Sequence, residues 1–258
     1  MNVKKVLAVH SYKGGTGKTL MATNLAVILA SEGYKVSLFD MDFRAPSLHA
    51  LFKVNNSNYW LNDYLNGVCE IKRVLVDCSS KVGGPLYVGL ANPSTEAIRE
   101  MSAKDRKWEM KALGRLLSVR NVLLNDLEFD YLIMDTSPGL QYSSINSIVS
   151  ADTVIVVTTM DISDIQGTTR MIRELYDLFE KKTGILLNKV PIETIASEKE
   201  REQLRKNYEE MTKLPVVDVL PCYCDVLRTG GNRIFVKEKP EHPFTQILKQ
   251  VAAKIQYL

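Results

Sequence analysis

The sequence has little cysteine and no long uncharged apolar run. Its four cysteines are too few and too unevenly spaced for a disulfide framework, which fits a reducing compartment. No stretch approaches the roughly 18 consecutive apolar residues that a membrane span requires. The apolar run that ends at His10 is too short for a signal peptide. We therefore expect a cytoplasmic protein with no integral membrane insertion.

The sequence also lacks an excess of charge of one sign. It contains 33 basic and 30 acidic residues, a formal net charge of +3, so a protein coated with basic charge for nucleic acid is not indicated. Two local basic sets remain, one between residues 99 and 120 and one made of Arg228, Arg233, Lys237 and Lys239. Such runs are usually solvated surface, but a weak, salt-dependent grip on DNA is left open.

Short β-branched runs alternate with longer amphipathic segments along the chain. With 258 residues, of which 45% are hydrophobic, a single domain over residues 1–258 is expected. Continuous apolar runs are typical of strands buried on both faces, and their alternation with helices predicts an α/β fold with a doubly wound, mainly parallel sheet. The predicted strands are Val6–Val9, Lys35–Phe39, Leu86–Leu90, Tyr131–Met134, Thr153–Val157, Ile185–Leu187 and Val216–Leu220.

Polar residues follow several of these predicted strands. Asp40, Asp135 and Asn188 each come directly after a strand, and a glycine-rich loop follows Val9. In open α/β sheets, ligands bind at the carboxyl ends of the strands. We therefore expect these residues to lie close together at one edge of the sheet and to form the site.

The glycine-rich loop reads Ser11-Tyr12-Lys13-Gly14-Gly15-Thr16-Gly17-Lys18-Thr19. It follows a predicted strand and opens a helical segment that runs from Lys18 to about Glu32, which is the setting of a phosphate-binding loop. Glycines let backbone N–H groups surround phosphate oxygens, and the helix N-terminus adds a positive dipole. Lys18 is expected to reach the β- and γ-phosphates and Thr19 to hold Mg²⁺. The usual first glycine of the motif is replaced by Tyr12.

The segment from Lys13 to Thr19 resembles the deviant Walker A motif of the ParA/MinD family of ATPases. Further segments are similar to other motifs of that family and together cover most of the chain. They are Phe39-Asp40-Met41-Asp42, Ile133-Met134-Asp135-Thr136-Ser137-Pro138-Gly139, Leu187-Asn188-Lys189, and the stretch from Leu220-Pro221 through Glu241-His242-Pro243-Phe244. The resemblance implies a P-loop fold that binds ATP and Mg²⁺ and hydrolyses ATP.

The resemblance also implies a homodimer that closes around two ATP molecules, with an activating protein partner. Lys13 would cross to the phosphates of the other subunit, where a cation stabilises the charge that develops in phosphoryl transfer. The alternative is that Lys13 contacts only its own chain's nucleotide or solvent. The nucleotide-binding residues implied are Lys13, Gly14, Gly15, Thr16, Gly17, Lys18, Thr19, Asn188 and Pro221.

Three carboxylates are candidates for the chemistry. Asp42 is our candidate for orienting the attacking water, because a carboxylate can accept its proton. Asp135 is the better-placed ligand of the Mg²⁺ shell, acting through water, and Asp40 is a second one. Either Asp40 or Asp42 could instead cap the segment that follows it. Gly139 would let a backbone N–H sense the γ-phosphate.

Asn188 and Pro221 are expected near the nucleotide base. The Asn188 amide both donates and accepts hydrogen bonds and could read adenine, although a turn asparagine is the simpler interpretation. The resemblance puts the loop that begins at Pro221 beside the base. Met160 stands where the family often has proline, and we expect it to change the pocket's shape rather than its chemistry.

Cys222 and Cys224 form a C-x-C pair after the last predicted strand. Two thiolates supply half of a tetrahedral transition-metal site, and a two-fold dimer could supply the other half. The alternative is that both cysteines are packing residues. Cys69 and Cys78 have no recognisable spacing and are expected to be structural.

The last segment places Phe244, Ile247, Leu248, Val251 and Ile255 on one helical face. Such a face could lie on a membrane, but packing against the sheet is the expected arrangement. Membrane-positioning relatives carry a further basic amphipathic tail, whereas this sequence stops at Leu258, so we expect no such membrane cycle.

Two functions therefore compete. The first is a ParA/MinD-like ATPase switch that organises DNA segregation or cargo in space. The alternative is an ATPase maturation factor for a metal centre held by Cys222 and Cys224 across a dimer.

Overall fold

The computed structural model of the chain describes residues 4–176 and 179–258. Eight strands in this part of the chain form one sheet in the order β3-β4-β2-β5-β1-β6-β7-β8. Every neighbouring pair is parallel except β3 with β4, which is antiparallel. The strands are β1 Lys5–His10, β2 Val36–Met41, β3 Leu75–Asp77, β4 Leu86–Gly89, β5 Tyr131–Thr136, β6 Thr153–Thr158, β7 Lys182–Val190 and β8 Val216–Pro221.

Helices cover both faces of the sheet, and two buried apolar clusters lie between the helices and the sheet. The helices are α1 Lys18–Ser31, α2 Leu48–Leu51, α3 Leu61–Asn66, α4 Ser79–Val82, α5 Thr95–Ser102, α6 Arg106–Asn121, α7 Tyr142–Ser150, α8 Ile162–Met171, α9 Glu198–Thr212, α10 Cys224–Arg228, α11 Phe235–Glu238 and α12 Pro243–Ile255. The predicted doubly wound, mainly parallel sheet is confirmed.

The central strands are buried along almost their whole length. Side chains of β2, β5 and β6 are buried at every position. This explains their unbroken apolar pattern, because a strand covered on both faces gains nothing from alternation. In register, Asp40 of β2 lies opposite Asp135 of β5, so the topology brings two carboxylates that are distant in sequence side by side.

Outside the central strands, the fold contains a charged helical region and an edge strand. The charged span between residues 99 and 120 lies in α5, in α6 and in the short connection between them. The edge strand β3 was not predicted. It has three residues, none of them fully buried, and it exists through its pairing with β4.

The C-terminal helix α12 packs against α1 and β8. Phe244, Leu248, Val251 and Ile255 are at most 1% exposed, and Ile247 packs against the same cluster. The expectation that this apolar face covers the sheet is confirmed. None of the helices in residues 4–176 and 179–258 is long and apolar enough to cross a membrane.

Candidate nucleotide site

The phosphate-loop candidate runs from Ser11 to Gly17, between β1 and α1. Gly15 and Gly17 have φ of 79° and 105°, a left-handed conformation that side chains rarely adopt. At Gly17 a Cβ would also lie 2.5 Å from the Asn188 amide nitrogen. Glycine at position 17 is therefore required both by the backbone and by the neighbouring strand.

Two residues of β7 hold this loop from the side. The Asn188 amide donates to the Thr16 carbonyl at 2.7 Å, and the Lys189 ammonium donates to the Gly15 carbonyl at 2.7 Å. Pro221 ends β8 and lies in register with Val190 on β7. Asn188 therefore supports the loop itself, and its predicted contact with adenine stays a prediction.

Lys18 and Asp135 form the buried centre of the site. Lys18 is 7% exposed and Asp135 is 1% exposed, and neither oxygen of the Asp135 carboxylate has a hydrogen-bond partner among the described residues. Burial raises the pKa of Asp135 to about 7, against the opposing effects of Thr19 and Lys18. Burial likewise lowers the pKa of Lys18, and nearby carboxylates, Asp135 foremost, oppose this. The centre holds buried polar groups whose bonding capacity is unused.

Asp40 differs from Asp135 although the two are neighbours. Its carboxylate accepts from the backbone N–H groups of Asp42 (3.2 Å), Ser47 (3.0 Å) and Leu48 (3.1 Å). Burial and the nearby Asp135 raise the pKa of Asp40 to about 8, and the three N–H groups counteract the rise. Asp40 thus adopts the capping arrangement considered above. Its contribution to a Mg²⁺ shell stays a prediction.

Asp42 connects two loops at the same edge. Its Oδ1 accepts from the Ser137 hydroxyl at 3.0 Å and from the Ala45 N–H at 3.2 Å. The loop after Ser137 returns to the phosphate-loop candidate, where the Gly139 N–H donates to the Ser11 carbonyl at 2.9 Å. A movement of the glycine loop can therefore be transmitted through the segment from Gly139 to Ser137 to Asp42, the carboxylate predicted to orient water.

Lys13 lies on the surface and is bound within its own chain. Its ammonium lies 2.8 Å from Asp161 Oδ1 and also donates to the Ser163 hydroxyl. Asp161 caps α8 by accepting the Asp164 N–H at 2.9 Å. The side chains of Lys13 and Asp161 remain 40% and 58% exposed, so the pair is accessible to a second molecule.

The residues at this centre fit a magnesium ion. A buried carboxylate with unused lone pairs is a hard oxygen ligand, and such groups favour Mg²⁺. Thr19 sits at the start of α1, and its hydroxyl is one of the groups that lower the pKa of Asp135. Asp135 and Thr19 are the residues that would hold Mg²⁺ here.

Comparison with known proteins agrees with this geometry. A family model described as AAA domain matches residues 4–190. The septum site-determining protein MinD of Thermotoga maritima is 28% identical over 254 residues, covering 97% of this chain and 87% of that protein. The chain belongs to the ParA/MinD family of P-loop ATPases.

Other relatives of this ParA/MinD-family chain point the same way. An uncharacterized ATP-binding protein of Methanocaldococcus jannaschii is 29% identical over 252 residues, covering 96% of this chain and 86% of that protein. The structure of MinD from Pyrococcus horikoshii, complexed with Mg-ADP, superimposes with a TM-score of 0.77 at 24% identity, covering 98% of this chain and 96% of that one. The latter likeness shows the shared fold.

The cysteine pair of this ParA/MinD-family chain lies just beyond the site. Cys222 is half-buried and its N–H donates to the Val190 carbonyl at 2.7 Å, while Cys224 is exposed at the start of α10. The described residues contain no group of three or more His, Cys, Asp or Glu side chains that could hold a metal ion. Metal binding by the pair would need ligands from a second subunit and stays a prediction.

Sequence reasoning missed the partners that organise the site. Asp161 and Ser163, which bind Lys13, were not among the predicted site residues, and Ser137 was named only as part of a motif, with no contact to Asp42 expected. Asp161 lies three residues before Asp164, a spacing typical of a helix start, and this could have indicated that Asp161 caps α8. It carries no sign of the contact with Lys13, which is 148 positions away. Met160 is partly buried in the cluster that includes Tyr12, and its predicted effect on pocket shape stays a prediction.

Proposed function

We propose that the chain is a cytoplasmic, single-domain ATPase switch that hydrolyses ATP to ADP and phosphate with Mg²⁺. It dimerises when ATP is bound and acts as a ParA/MinD-like spatial organiser. The observation that supports this most strongly is the buried, unpartnered Asp135 carboxylate beside buried Lys18 at the opening of a glycine loop. Leaving such groups unsatisfied costs stability, and that cost is offset when a ligand pairs them.

Each residue has a role that follows from its surroundings. The backbone N–H groups of the loop and the ammonium of Lys18 bind phosphate oxygens. When bound, Mg²⁺ neutralises phosphate charge and so favours attack of water at the terminal phosphorus. Thr19 and Asp135 would hold that ion. Asp42, kept in place by Ser137 at 3.0 Å, accepts the proton of the attacking water.

Lys13 makes hydrolysis depend on the dimer. Its exposed ion pair with Asp161 is of the kind that contributes little to stability, because solvent screens it, so a stronger anion on a second chain can displace it. In that arrangement Lys13 stabilises charge that develops on the other subunit's phosphates. The release of phosphate removes the attraction and returns Lys13 to Asp161.

The central experiment measures nucleotide binding and turnover. We expect calorimetry with Mg²⁺ to detect binding of ATP, and light scattering to show a dimer with a non-hydrolysable ATP analogue but not with ADP. Lys18→Ala should lose turnover by about a hundredfold or more, because a buried cation at the phosphates is removed. Lys107→Ala, on the exposed face of α6, is the matched control. Failure to bind either ATP or GTP would refute the proposal.

Two variants separate the roles of Lys13 and Asp42. Lys13→Ala should still bind ATP but lose the dependence of turnover on protein concentration. Full turnover in this variant would remove the role across the dimer. Asp42→Ala should accumulate as a dimer with ATP bound, and unchanged turnover would refute the assignment of Asp42.

The proposed organiser role is tested through its surface. The MinD names of relatives support a role in positioning, and the basic residues Arg228, Arg233, Lys237 and Lys239 offer a site for phosphate backbones. Turnover stimulated by non-specific DNA, and lost as salt rises, would support a DNA-based organiser. Stimulation only by a co-purifying protein would support the positioning of a protein cargo.

A further inference from the structure

Tyr12 occupies the position where the phosphate-loop motif usually has its first glycine. Its ring lies directly against the backbone of Gly167 in the interior of α8. A Cβ at Gly167 would overlap three ring atoms of Tyr12, namely Cδ1, Cε1 and Cζ. The large residue in the loop and the missing side chain in the helix are therefore complementary.

Glycine is unfavourable in the interior of a helix, because it costs backbone entropy and buries no side chain. Gly167 is buried and sits at the sixth of ten positions of α8. Its backbone does not have positive φ, so conformation does not require glycine there. The contact with Tyr12 is the feature of the structure that accounts for it.

Tyr12 is the middle of three contacts that run along the same helix. The ring of His10, at the end of β1, packs edge-on against Tyr176 in the π-helical turn that follows α8, with ring centroids 6.2 Å apart. Lys13 binds Asp161 and Ser163 at the start of α8. We call residues 10–13 the loop arm, and it lies along α8 from end to start.

The end of α8 that receives Lys13 is itself firmly held. Asp164 is fully buried, and its Oδ2 accepts from the Thr159 N–H at 2.8 Å, the Thr159 hydroxyl at 3.0 Å and the Thr158 hydroxyl at 3.1 Å. The Asp164 N–H in turn binds Asp161. The loop arm thus packs on a helix whose start is held by several hydrogen bonds. The contact of Tyr12 with this helix therefore determines where Lys13 lies.

We propose that Tyr12 is a positioning residue whose ring, seated on Gly167, holds Lys13 at Asp161 of its own chain and so restrains it from reaching a second subunit. This rests on the proposed function, in which Lys13 acts across the dimer. The ring supplies the effect, because the Tyr12 hydroxyl makes no hydrogen bond within residues 4–176 and 179–258. Tyr12 thereby lowers turnover in the absence of a partner.

The position of Lys13 can be measured without nucleotide. Trace acetylation followed by mass spectrometry reports the reactivity of the Lys13 amine, with exposed Lys107 as the internal reference. An ammonium that loses its carboxylate partner deprotonates more readily, so displaced Lys13 reacts faster. We expect Tyr12→Ala and Gly167→Ala each to raise the relative reactivity by about threefold, the scale set by a surface ion pair.

Three further variants show whether the effect passes through the Lys13 pair. Tyr12→Phe keeps the ring and should match the wild type. Asp161→Asn should raise the reactivity of Lys13 directly. Tyr12→Ala combined with Asp161→Asn should react no faster than Asp161→Asn alone. Unchanged reactivity in Tyr12→Ala, or additive effects in the combined variant, would overturn the proposal. Thermal melts check that each variant is folded.

Turnover supplies the second readout. At low protein concentration Tyr12→Ala should hydrolyse ATP several times faster than the wild type, with kcat raised and KM for ATP unchanged. An increase in KM alone would indicate a merely structural role in nucleotide binding and would contradict the proposal. A wild type that hydrolyses no ATP would refute the proposed function, while the acetylation result would still decide the positioning role of Tyr12.

Discussion

Two buried aspartates, Asp135 on β5 and Asp218 on β8, are treated in opposite ways by their surroundings. Asp218 is 4% exposed and accepts from Arg201 at 2.6 Å, from Lys254 at 2.7 Å and from the Val219 N–H at 2.8 Å. Burial raises its pKa, but the hydrogen bonds from Lys254 and Arg201 outweigh this, so the pKa lies below its usual value. Asp135 has no such partners, and its pKa is raised to about 7.

The two carboxylates have different roles: Asp218 stabilises the fold, whereas Asp135 is available to bind a ligand. Arg201 lies in α9 and Lys254 in α12, so Asp218 ties two helices to the edge strand of the sheet. Its charge is compensated within the chain. Asp135 is left with unused bonding capacity, which is destabilising in the free protein and favourable once a cation binds. The same fold therefore contains one buried aspartate with ion-pair partners and another with unused hydrogen-bonding capacity.

Of the two aspartates, Asp135 should have the larger effect on function when it is replaced by asparagine. We expect turnover to fall by about a hundredfold, a loss of about 2.7 kcal/mol of transition-state stabilisation, because the charged oxygen ligand is gone. Steady-state phosphate release measures this. A variant that retains turnover would contradict the role given to Asp135.

The same variant should be more stable than the wild type when no nucleotide is present. In the folded state the pKa of Asp135 is about 7, against an ordinary value of 3.8, so the folded state binds more protons than the unfolded state between these values. The contribution of Asp135 to stability is thus present below pH 4 and is lost as the pH rises towards 7. Urea unfolding should show the advantage of Asp135→Asn growing from pH 4 to pH 8.

Asp218→Ala should show the reverse pattern. Removal of this carboxylate leaves Arg201 and Lys254 without their partner, and we expect unfolding to become easier by about 2 kcal/mol. ATP turnover per folded molecule should be unchanged, because the nucleotide site is not touched. Equal losses of turnover and stability would show that the two regions are not independent.

His10 extends the comparison to a base that has no partner. It is fully buried, neither ring nitrogen has a hydrogen-bond partner among the described residues, and burial lowers its pKa from 6.5 to about 3. The unfolded state therefore binds a proton that the folded state does not, so stability falls as the pH drops below 6.5. Between pH 6.5 and pH 5.5, His10→Leu should lose about 1 kcal/mol less stability than the wild type, as measured by urea unfolding. Parallel pH profiles would contradict this.

The smallest effect is expected at an exposed ion pair. Arg233 lies 3.4 Å from Glu238, and their side chains are 66% and 44% exposed. Arg233→Ala should change the free energy of unfolding by no more than about 0.5 kcal/mol, because solvent screens such pairs. This variant is also the control for Asp218→Ala, since both remove one member of an ion pair and differ in burial.

The sequence was most informative where a pattern is local. The seven apolar runs all became strands, because unbroken β-branched runs are stable only where both faces are covered. The glycines before Lys18 predicted the loop, since φ of 79° and 105° favours glycine there. The edge strand β3 was missed because its three residues carry no pattern and depend on β4 for their hydrogen bonds.

The sequence predicted which residues lie at the site, but not which hydrogen-bond partners each of them has. Asp40 and Asp135 both follow apolar runs and look alike in sequence, yet one accepts three backbone N–H groups and the other none. That outcome depends on how the chain after β2 folds back towards Asp40. The contact of Lys13 with Asp161 likewise spans 148 positions, beyond any local signal.

The sequence by itself determined seven of the eight described strands and the glycine loop, because these follow from periodicity and short-range stereochemistry, and its motifs indicated the family by resemblance. Only the tertiary structure decided which buried charges are compensated, that Asn188 supports the loop, and that Tyr12 rests on Gly167. Burial and partnership depend on which distant segments meet, and the topology of the sheet sets those meetings.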